Sequence, residues 1–284
     1  MRAFHETRSY HKGWPVQIGL VHNMSFLAHW HHDLEFIYVR HGSVRVGINS
    51  EVQTLQAGEF AFCGSGDIHY YEHTGAASEL IMVIFNPRLI GAPAGWPTEQ
   101  RQHSGFILRS EVEMAQFGHT DLTGQHMRQQ LGTIMEQLLA EQQHQQAHAE
   151  TVITGLLHML GGLCLRCMPA HGPAIRRRAS AAHLAVMQRL LDWLEQHCTQ
   201  PLTLQDGADQ AGMSVFHFSR FFKNVTGIGY NTYINELRIQ RAEQQMTIRE
   251  RKLIDIALDC GFGNVRTFNR VFRQLRGCSP SERR

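Results

Sequence analysis

An internal repeat in the carboxyl-terminal third is the feature that most constrains how this chain can fold. Ala208-Asp-Gln-Ala-Gly212 recurs about fifty residues later as Ala257-Leu-Asp-Cys-Gly261, and Phe218-Ser-Arg-Phe-Phe-Lys223 recurs as Phe268-Asn-Arg-Val-Phe-Arg273. Each copy combines a short helical pattern, a glycine turn and a second helix with aromatic residues at i and i+4. The repeat therefore predicts two helix-turn-helix units whose glycines permit a positive φ between the helices.

The second helix of each unit is predicted to bury its phenylalanines and to expose polar and cationic side chains on the opposite face. Arginine pairs with guanine edges, asparagine pairs with adenine, and further cations contact phosphates. A pair of solvated helix faces in a helical bundle is the alternative, but two copies of the pattern favour DNA recognition. The outward residues are Phe216, Ser219, Arg220, Lys223, Arg266, Asn269, Arg270 and Arg273.

The charge distribution separates two halves of the 284-residue chain, which is long enough for two domains. From Ile175 onward there are 17 Lys and Arg against 10 Asp and Glu, whereas the preceding residues have 10 against 15 and hold 16 of the 19 histidines. A basic half is typical of a nucleic-acid-binding domain. The sequence thus predicts such a domain joined to an acidic, histidine-rich one.

Several classes of protein are excluded by the sequence pattern. No apolar run approaches the roughly 18–20 residues of a membrane helix, and the first residues lack an apolar core of signal-peptide length. The six cysteines have no disulfide-framework spacing. We therefore expect a cytoplasmic protein with no membrane partner.

Residues 183–284 resemble the DNA-binding domain of the AraC/XylS family of bacterial transcription regulators. The resemblance implies that a long helix at about Tyr230–Met246 joins two units that enter successive major grooves on one DNA face. It adds Val215 and Val265 to the residues that contact bases, and an activator of this kind would also contact RNA polymerase. The residues that carry the resemblance are Leu204, Ala208, Gly212-Met-Ser214, Phe218-Ser-Arg-Phe-Phe-Lys223, Thr226-Gly227, Tyr233-Ile-Asn-Glu-Leu-Arg238, Arg241-Ala242, Ile254-Asp-Ile-Ala257, Gly261-Phe262, Phe268-Asn-Arg-Val-Phe-Arg273, Gly277 and Ser279-Pro280.

The first half shows short strands between residues 16 and about 90, which indicate a sandwich or a barrel. His29 and His31 would lie on one face of a strand, because side chains alternate with period two, and Glu35 shares their parity. His69 would join them from a neighbouring strand. Three imidazoles and a carboxylate suit Fe, Mn, Ni, Cu or Zn.

This spacing is similar to the two cupin motifs over about residues 20–88, although Asn23 and Gly64 replace a glycine and a proline of the motifs. A cupin-like β-barrel is the usual sensor domain of AraC/XylS regulators. The four residues could hold a divalent transition metal or bind an effector directly. We expect direct binding, since sensing needs only a differential affinity between two states. The arrangement most resembles sugar-responsive members such as regulators of melibiose-type operons.

Between about Leu122 and Met168 two helical patterns follow the barrel. They either cap the barrel or pack against a second copy, which would make a homodimer. Pro169-Ala-His-Gly-Pro173 and the arginines after it predict a linker. The expected architecture is α+β with two domains: a cupin-like effector-binding and dimerisation domain at 1–170, a linker at 171–182, and an all-α domain with two helix-turn-helix units at 183–284.

Together these features predict a sequence-specific regulator that binds promoter DNA under the control of a small effector. The alternative is a metal-dependent cupin enzyme, an oxygenase or isomerase, with an unrelated helical appendage. That alternative lacks an obvious catalytic base and leaves the repeat and the basic half unexplained. We therefore expect a regulator that is not an enzyme.

Overall fold

A computed structural model describes residues 14–92, 105–106, 121–167, 174–248 and 251–284 of the chain. The chain divides into two compact units: the described residues before Leu27 group with Trp30–Ala182, and Leu27–His29 groups with His183–Arg284. Among the described residues, no helix is both long enough and apolar enough to cross a membrane.

The first third of the chain forms two four-stranded sheets, with the strand orders β1-β8-β3-β6 and β2-β7-β4-β5. Gly42, between β3 and β4, has a φ of +73°, and a Cβ there would lie 2.0 Å from the carbonyl oxygen of Ala77, so only glycine fits this turn. The strands are β1 (Val16–His22), β2 (Phe26–His29), β3 (Leu34–His41), β4 (Ser43–Ile48), β5 (Glu51–Gln56), β6 (Phe60–Cys63), β7 (His69–His73) and β8 (Glu79–Phe85).

Strand β8, one of the two central strands of the first sheet, is apolar from Leu80 to Phe85 because both of its faces are covered. Ile81, Val83 and Phe85 pack into one core cluster together with helical residues. Leu80 packs on the other face, into the core between the two sheets. The continuous apolar run of β8 is therefore the signature of a strand buried on both sides.

Two helices, α1 (Asp121–His144) and α2 (Ala149–Cys167), follow the sheets in the chain. They cover the outer face of the β1-β8-β3-β6 sheet. Leu131, Leu138 and Leu157 are fully buried in the same cluster as β8 residues. Of the two alternatives that the sequence left open, this face of the helices caps the sheet. Leu138 is fully buried within its own unit, so it does not offer a surface to a second copy.

Most of the predicted linker at 171–182 is helical. Residues 171–173 lie outside the described part, but α3 begins at Ala174 and runs to His197, so the remainder of the segment is helical. Pro173 directly precedes this helix, at a position where proline is compatible with a helix start.

The carboxyl-terminal unit contains the two predicted helix-turn-helix units. Phe218, Phe222, Phe268 and Phe272 are all fully buried, as the repeat predicts. The connecting helix spans the expected residues. The helices are α4 (Leu204–Ala211), α5 (Val215–Thr226), α6 (Tyr230–Met246), α7 (Leu253–Asp259), α8 (Val265–Arg276) and α9 (Pro280–Arg283).

Local capping explains where the second helices begin and end. Ser214 and Asn264 are the N-caps of α5 and α8, and each side chain accepts a hydrogen bond from the backbone N–H three residues later. Gly227 and Gly277 end the same helices in the left-handed conformation. Helices α5 and α8 therefore have the same length and begin and end at equivalent positions of the repeat.

Candidate functional site

The four polar residues predicted from spacing converge around one point. His29 ends β2 and His69 begins β7, which is its neighbour in one sheet, whereas Glu35 lies on β3 in the other sheet. His31 lies in the connection between β2 and β3. One ligand atom from each residue lies within 4.8 Å of those of the other three, and all four side chains are buried.

The expectation that one strand carries both His29 and His31 is wrong. β2 ends at His29, the chain bends at His32 and Asp33, and β3 begins at Leu34. The bend carries the chain from one sheet to the other, so the residues approach one point from two sheets. Their parity in the sequence was informative, but the physical cause of their convergence is the crossing between sheets.

Each of the three histidines is oriented by a hydrogen bond to the backbone. Nδ1 of His29, His31 and His69 lies 2.9 Å from the carbonyl oxygens of Leu27, Asp33 and Asp67, respectively. A carbonyl only accepts, so each Nδ1 carries the hydrogen and donates it. The Nε2 atoms are left to face the centre, which is the arrangement that orients imidazole ligands at metal sites.

Glu35 connects two of these rings. Its Oε2 lies 3.0 Å from Nε2 of His31 and 3.3 Å from Nε2 of His69. Burial alone would raise the pKa of Glu35, but the two histidines hold it well below its ordinary value. Burial would likewise lower the pKa of His69, whereas Cys63 and Glu35 raise it well above its ordinary value.

Sequence reasoning missed Tyr71, whose hydroxyl donates to Oε1 of Glu35 at 2.7 Å. Burial and the neighbouring Cys63 and Glu35 raise the pKa of Tyr71 well above its ordinary value, so the phenol keeps its proton. The signal was available, since Tyr71 follows His69 by two residues on the same strand and shares its face. Tyr71 fixes one carboxylate oxygen and leaves the other directed at the histidines.

The donor set fits a first-row transition ion, since imidazole nitrogens and a carboxylate oxygen are ligands that such ions accept. The four donor atoms lie close enough to surround a single ion. A metal ion that binds there must compete with protons for the imidazole nitrogens and the carboxylate.

The second helices of the two helix-turn-helix units, α5 and α8, are called the recognition helices. Their predicted outward faces are exposed. Ser219, Arg220 and Lys223 on α5 are exposed, as are Arg266, Asn269, Arg270 and Arg273 on α8. Phe216 is 75 % exposed, and the Arg220 guanidinium lies 5.8 Å from the centre of its ring. Val215 and Val265 are half-buried, and Val265 packs against the core of its unit, so it offers less surface than the resemblance implied.

The cations on these two faces differ in their ion pairing from Arg276, a neighbouring arginine that has a structural role. Arg276, in the last turn of α8, pairs with Glu236 at 2.9 Å and with Glu243 at 3.0 Å. Within the described ranges, no ion pair involves the predicted DNA-contacting cations Arg220, Lys223, Arg266, Arg270 and Arg273.

An open groove of about 600 Å³ lies along α8 and is lined by Asn269, Arg270, Arg273 and Gln274. Gln274 was not among the predicted residues. It lies one helical turn after Arg270, so the i, i+4 spacing on the outer face could have identified it.

Comparisons with known proteins agree with both halves of the molecule. A helix-turn-helix domain family matches residues 208–284, and a cupin domain family matches residues 20–85. The regulatory protein SoxS of Salmonella typhimurium is 34 % identical over 103 residues, which cover 36 % of this chain and 96 % of SoxS. The HTH-type transcriptional activator RhaS of Escherichia coli O157:H7 is 26 % identical over 253 residues, 89 % of this chain and 85 % of RhaS.

Among solved structures, fatty-acid-bound ToxT from Vibrio cholerae is 11 % identical, with a TM-score of 0.45 over 97 % of this chain and 96 % of that one. The relatives are named as regulators, so the cupin-enzyme alternative is not favoured. From the repeated helix-turn-helix units, the cupin domain and the match to nearly all of SoxS, we conclude that the chain belongs to the AraC/XylS family of DNA-binding transcription regulators.

Proposed function

We propose that this regulator binds promoter DNA through the exposed faces of α5 and α8 and that an effector bound in the amino-terminal unit controls the binding. The observation that carries the proposal is the pair of exposed faces, whose cations make no ion pair with any described residue. Such side chains are free to meet phosphates and base edges.

Each exposed residue has a role that follows from its chemistry. Arg220 and Arg270 occupy equivalent positions and would pair with guanine edges, and Asn269 would pair with adenine. Lys223 and Arg273, one turn further on, would contact phosphates. Ser219 and Arg266 complete the two faces. Val215 and Val265 lie at the start of each helix, where the half-buried side chain leaves part of its surface for a base.

In vitro selection with the full-length chain tests the proposal. We expect a bound site with two protected segments one helical turn apart, about 10–10.5 base pairs. Affinity for random DNA should be weaker and should fall steeply with salt. A chain that retains no preferred sequence, or a footprint with a single protected segment, would contradict recognition by two helices.

A divalent transition metal at His29, His31, Glu35 and His69 is a second candidate component of the sensor. The three Nδ1 hydrogen bonds and the close approach of the four donors support it. When bound, the ion would supply a Lewis acid that accepts further oxygen ligands. The protein would contribute the orientation of three rings and, through Tyr71, the orientation of Glu35.

Elemental analysis of the full-length chain, purified without a nickel column, tests the metal. His31→Ala removes one of four donors and should lower the metal content strongly, while His32→Ala serves as a matched control, because His32 is the exposed neighbour in the same bend. Equal metal content in wild type and His31→Ala would rule out this site. Direct effector binding instead predicts that His31→Ala weakens the effector response of a chain that holds no metal.

We propose a sugar as the effector, on the resemblance of the histidine and glutamate spacing to sugar-responsive members of the family. The test is thermal denaturation of the full-length chain with a panel of mono- and disaccharides. A sugar that binds only the native state should raise the melting temperature with its concentration. His31→Ala should lose that rise, and His32→Ala should keep it.

We propose that the chain forms a homodimer through the outer face of α2. Val152 and Met159 are 44 % and 55 % exposed, and a Cβ added at Gly155 or Gly162 would meet no atom within 4 Å. These four residues follow a 3-4-3 spacing, which is that of a coiled-coil seam. The face therefore has the pattern of a helix that packs closely against a second copy.

Sedimentation velocity distinguishes this face from the buried one. Met159→Arg should yield folded monomers, and His158→Arg, one residue away and exposed, should remain dimeric. A wild-type chain that sediments as a monomer would disprove the dimer.

We further propose that the protein works in the cytoplasm as an activator and therefore contacts RNA polymerase at its promoter.

A further inference from the structure

The turn between β6 and β7, residues 64–67, is bonded to two of the histidines of the candidate metal site. The backbone N–H of Gly66 donates to the carbonyl oxygen of His31 at 2.8 Å. The carbonyl oxygen of Asp67 accepts from Nδ1 of His69 at 2.9 Å. A displacement of this turn, which we call the 64–67 turn, would therefore move both histidines.

The side chain of Asp67 closes the 64–67 turn. It is 1 % exposed, and a carboxylate that is buried to this degree needs hydrogen bonds in place of water. One carboxylate oxygen accepts from the backbone N–H of Gly64 at 2.6 Å, and the other accepts from Nδ2 of Asn49 at 2.9 Å. The second bond comes from outside the turn, because Asn49 directly follows β4. The conformation of the turn thus depends on a residue in a different part of the sheet.

Asn49 makes three hydrogen bonds to the two residues that precede β7. Its Oδ1 accepts from the backbone N–H of Ile68 at 3.0 Å, and its own backbone N–H donates to the carbonyl oxygen of Ile68 at 2.6 Å. The third is the bond from its Nδ2 to Asp67. Together these bonds fix the connection between β4 and β5 against the segment that leads into His69.

Two separate demands explain asparagine at position 49. The backbone there has a φ of +57°, in the left-handed region, which glycine, asparagine and aspartate adopt more readily than other residues. The side chain must also donate to a carboxylate and accept from an N–H. Of these three residue types only asparagine does both, because an ionised aspartate cannot donate and glycine has no side chain.

We propose that Asn49 is a positioning residue of the metal site, an inference that rests on the metal proposed above. Its side chain bonds to Asp67 and Ile68, so it acts through the 64–67 turn. That turn orients the ring of His69 directly and holds the backbone of His31. Loss of such an outer hydrogen-bond partner typically lowers metal affinity by about 10–100-fold.

The same connection supplies a matched set of variants. Asn49→Gly removes the side-chain bonds and keeps a residue that tolerates the positive φ. Ser50→Gly, at the exposed next position, is the control. Asn49→Asp keeps the acceptor for Ile68 but places a second carboxylate against Asp67. Adding Asp67→Asn to Asn49→Asp restores both bonds, because the new amide donates to the new carboxylate and still accepts from the N–H of Gly64.

Competition with a chromogenic chelator measures the Co²⁺ affinity of the full-length chain, purified without a nickel column. Asn49→Gly and Asn49→Asp should each bind Co²⁺ about 10–100-fold more weakly than wild type. Ser50→Gly should match wild type, and the double variant Asn49→Asp/Asp67→Asn should recover most of the loss. The visible absorption spectrum of bound Co²⁺ reports ligand geometry, so it should change shape in Asn49→Gly. A role in stability alone would lower the melting temperature of the metal-free chain and leave that spectrum unchanged.

A second measurement needs no metal. The Nδ1 proton of His69 donates to the carbonyl oxygen of Asp67, so it should exchange slowly with water in wild type. Nuclear magnetic resonance of the metal-free chain with isotope-labelled histidine detects this proton, and His69→Gln identifies its signal. Exchange should become faster in Asn49→Gly and Asn49→Asp, whereas Ser50→Gly and the double variant should keep the wild-type rate.

Two results would overturn the positioning role. One is an Asn49→Gly chain that binds Co²⁺ with the affinity and spectrum of wild type. The other is a His69 proton that exchanges at the wild-type rate in Asn49→Gly. A wild-type chain that binds no Co²⁺ would instead refute the proposed metal site, and the exchange rate would still decide whether Asn49 orients His69.

Discussion

The two recognition helices, α5 and α8, are built alike on the inside and differently on the outside. Each has an N-cap that accepts from the N–H three residues on, two fully buried phenylalanines at i and i+4, and a left-handed glycine at its end. On the outer face, α5 presents Phe216 where α8 presents Arg266, and Ser219 where α8 presents Asn269. The scaffold is repeated, and the chemistry offered to DNA is not.

This difference separates what holds a helix in place from what it recognises. The buried residues are constrained by packing, so the repeat preserves them. The outer residues are constrained only by what they contact, so they are free to diverge. We therefore expect the two halves of the DNA site to differ in sequence, with one half that combines apolar and cationic contacts and another that is dominated by arginine and asparagine.

The largest expected effect comes from the buried side of the comparison. Phe268→Ala removes a fully buried ring and should lower the free energy of unfolding by about 3–5 kcal/mol. Phe216→Ala, at a 75 % exposed position in the other unit, should change it by less than about 0.5 kcal/mol. Urea denaturation followed by circular dichroism measures both. A similar loss of unfolding free energy in the two variants would show that the exposed residues of these helices contribute to stability as much as the buried ones.

The next effect distinguishes the two glycine turns. Gly261 has a φ of +86°, and a Cβ there would lie 2.5 Å from the carbonyl oxygen of Thr199. Gly261→Ala should therefore cost about 2–5 kcal/mol, from backbone strain together with overpacking. Gly212 has a φ of +63° and no atom within 4 Å of its Cβ position, so Gly212→Ala should cost only the strain, about 1–2 kcal/mol. Equal costs in urea denaturation would mean that the clash at Gly261 relaxes freely.

The carboxyl-terminal unit was largely predictable because its pattern is local. Helix caps, glycine turns and phenylalanines at i and i+4 act within a few residues, so the bounds of α6 and the burial of Phe218 and Phe272 follow from the sequence. The linker was less predictable, because helix α3 begins directly after Pro173, a residue that ends one helix and can precede another.

The residues of the histidine and glutamate cluster could be predicted from the sequence, but the path of the chain that brings them together could not. The spacing of His29, His31, Glu35 and His69 identified the cluster that the structure brings together. It did not reveal the bend that moves the chain between sheets, because a bend of two polar residues resembles an alternating strand. Tyr71 was missed for a different reason, since its role depends on the position of Glu35 across the barrel. Contacts between distant strands are not encoded in a local pattern.

The arginines at equivalent positions test whether the two helices recognise separate half-sites. Arg220→Ala should cost about 1–3 kcal/mol of binding free energy on the selected site and relax the preference in one half only. Arg270→Ala should do the same in the other half. Gel-shift titration on sites mutated in either half measures this. The control is Lys223→Ala, a proposed phosphate contact, which should weaken binding to all sequences and reduce the salt dependence.

Two outcomes of that titration would contradict the model. If Arg220→Ala weakens binding to random DNA as much as to the selected site, Arg220 contacts phosphate only. If both arginine variants relax the same half-site, the two helices do not act on separate segments of DNA.

The smallest effect concerns Phe216, which gives α5 its distinct outer face. An exposed aromatic ring on a recognition helix gains by contacting the methyl group of thymine. Replacing one thymine of the α5 half-site by uracil removes that methyl alone, and should weaken wild-type binding by about 0.8 kcal/mol, the value of one buried methylene-sized group. Phe216→Ala should bind the thymine and uracil sites equally.

Because the Arg220 guanidinium lies beside the ring, Phe216→Ala should also weaken the guanine preference in that half, whereas Arg266→Ala should leave it unchanged. A uracil effect of the same size in wild type and Phe216→Ala would mean that another side chain contacts the methyl, and the contrast between α5 and α8 would then reside in their cations alone.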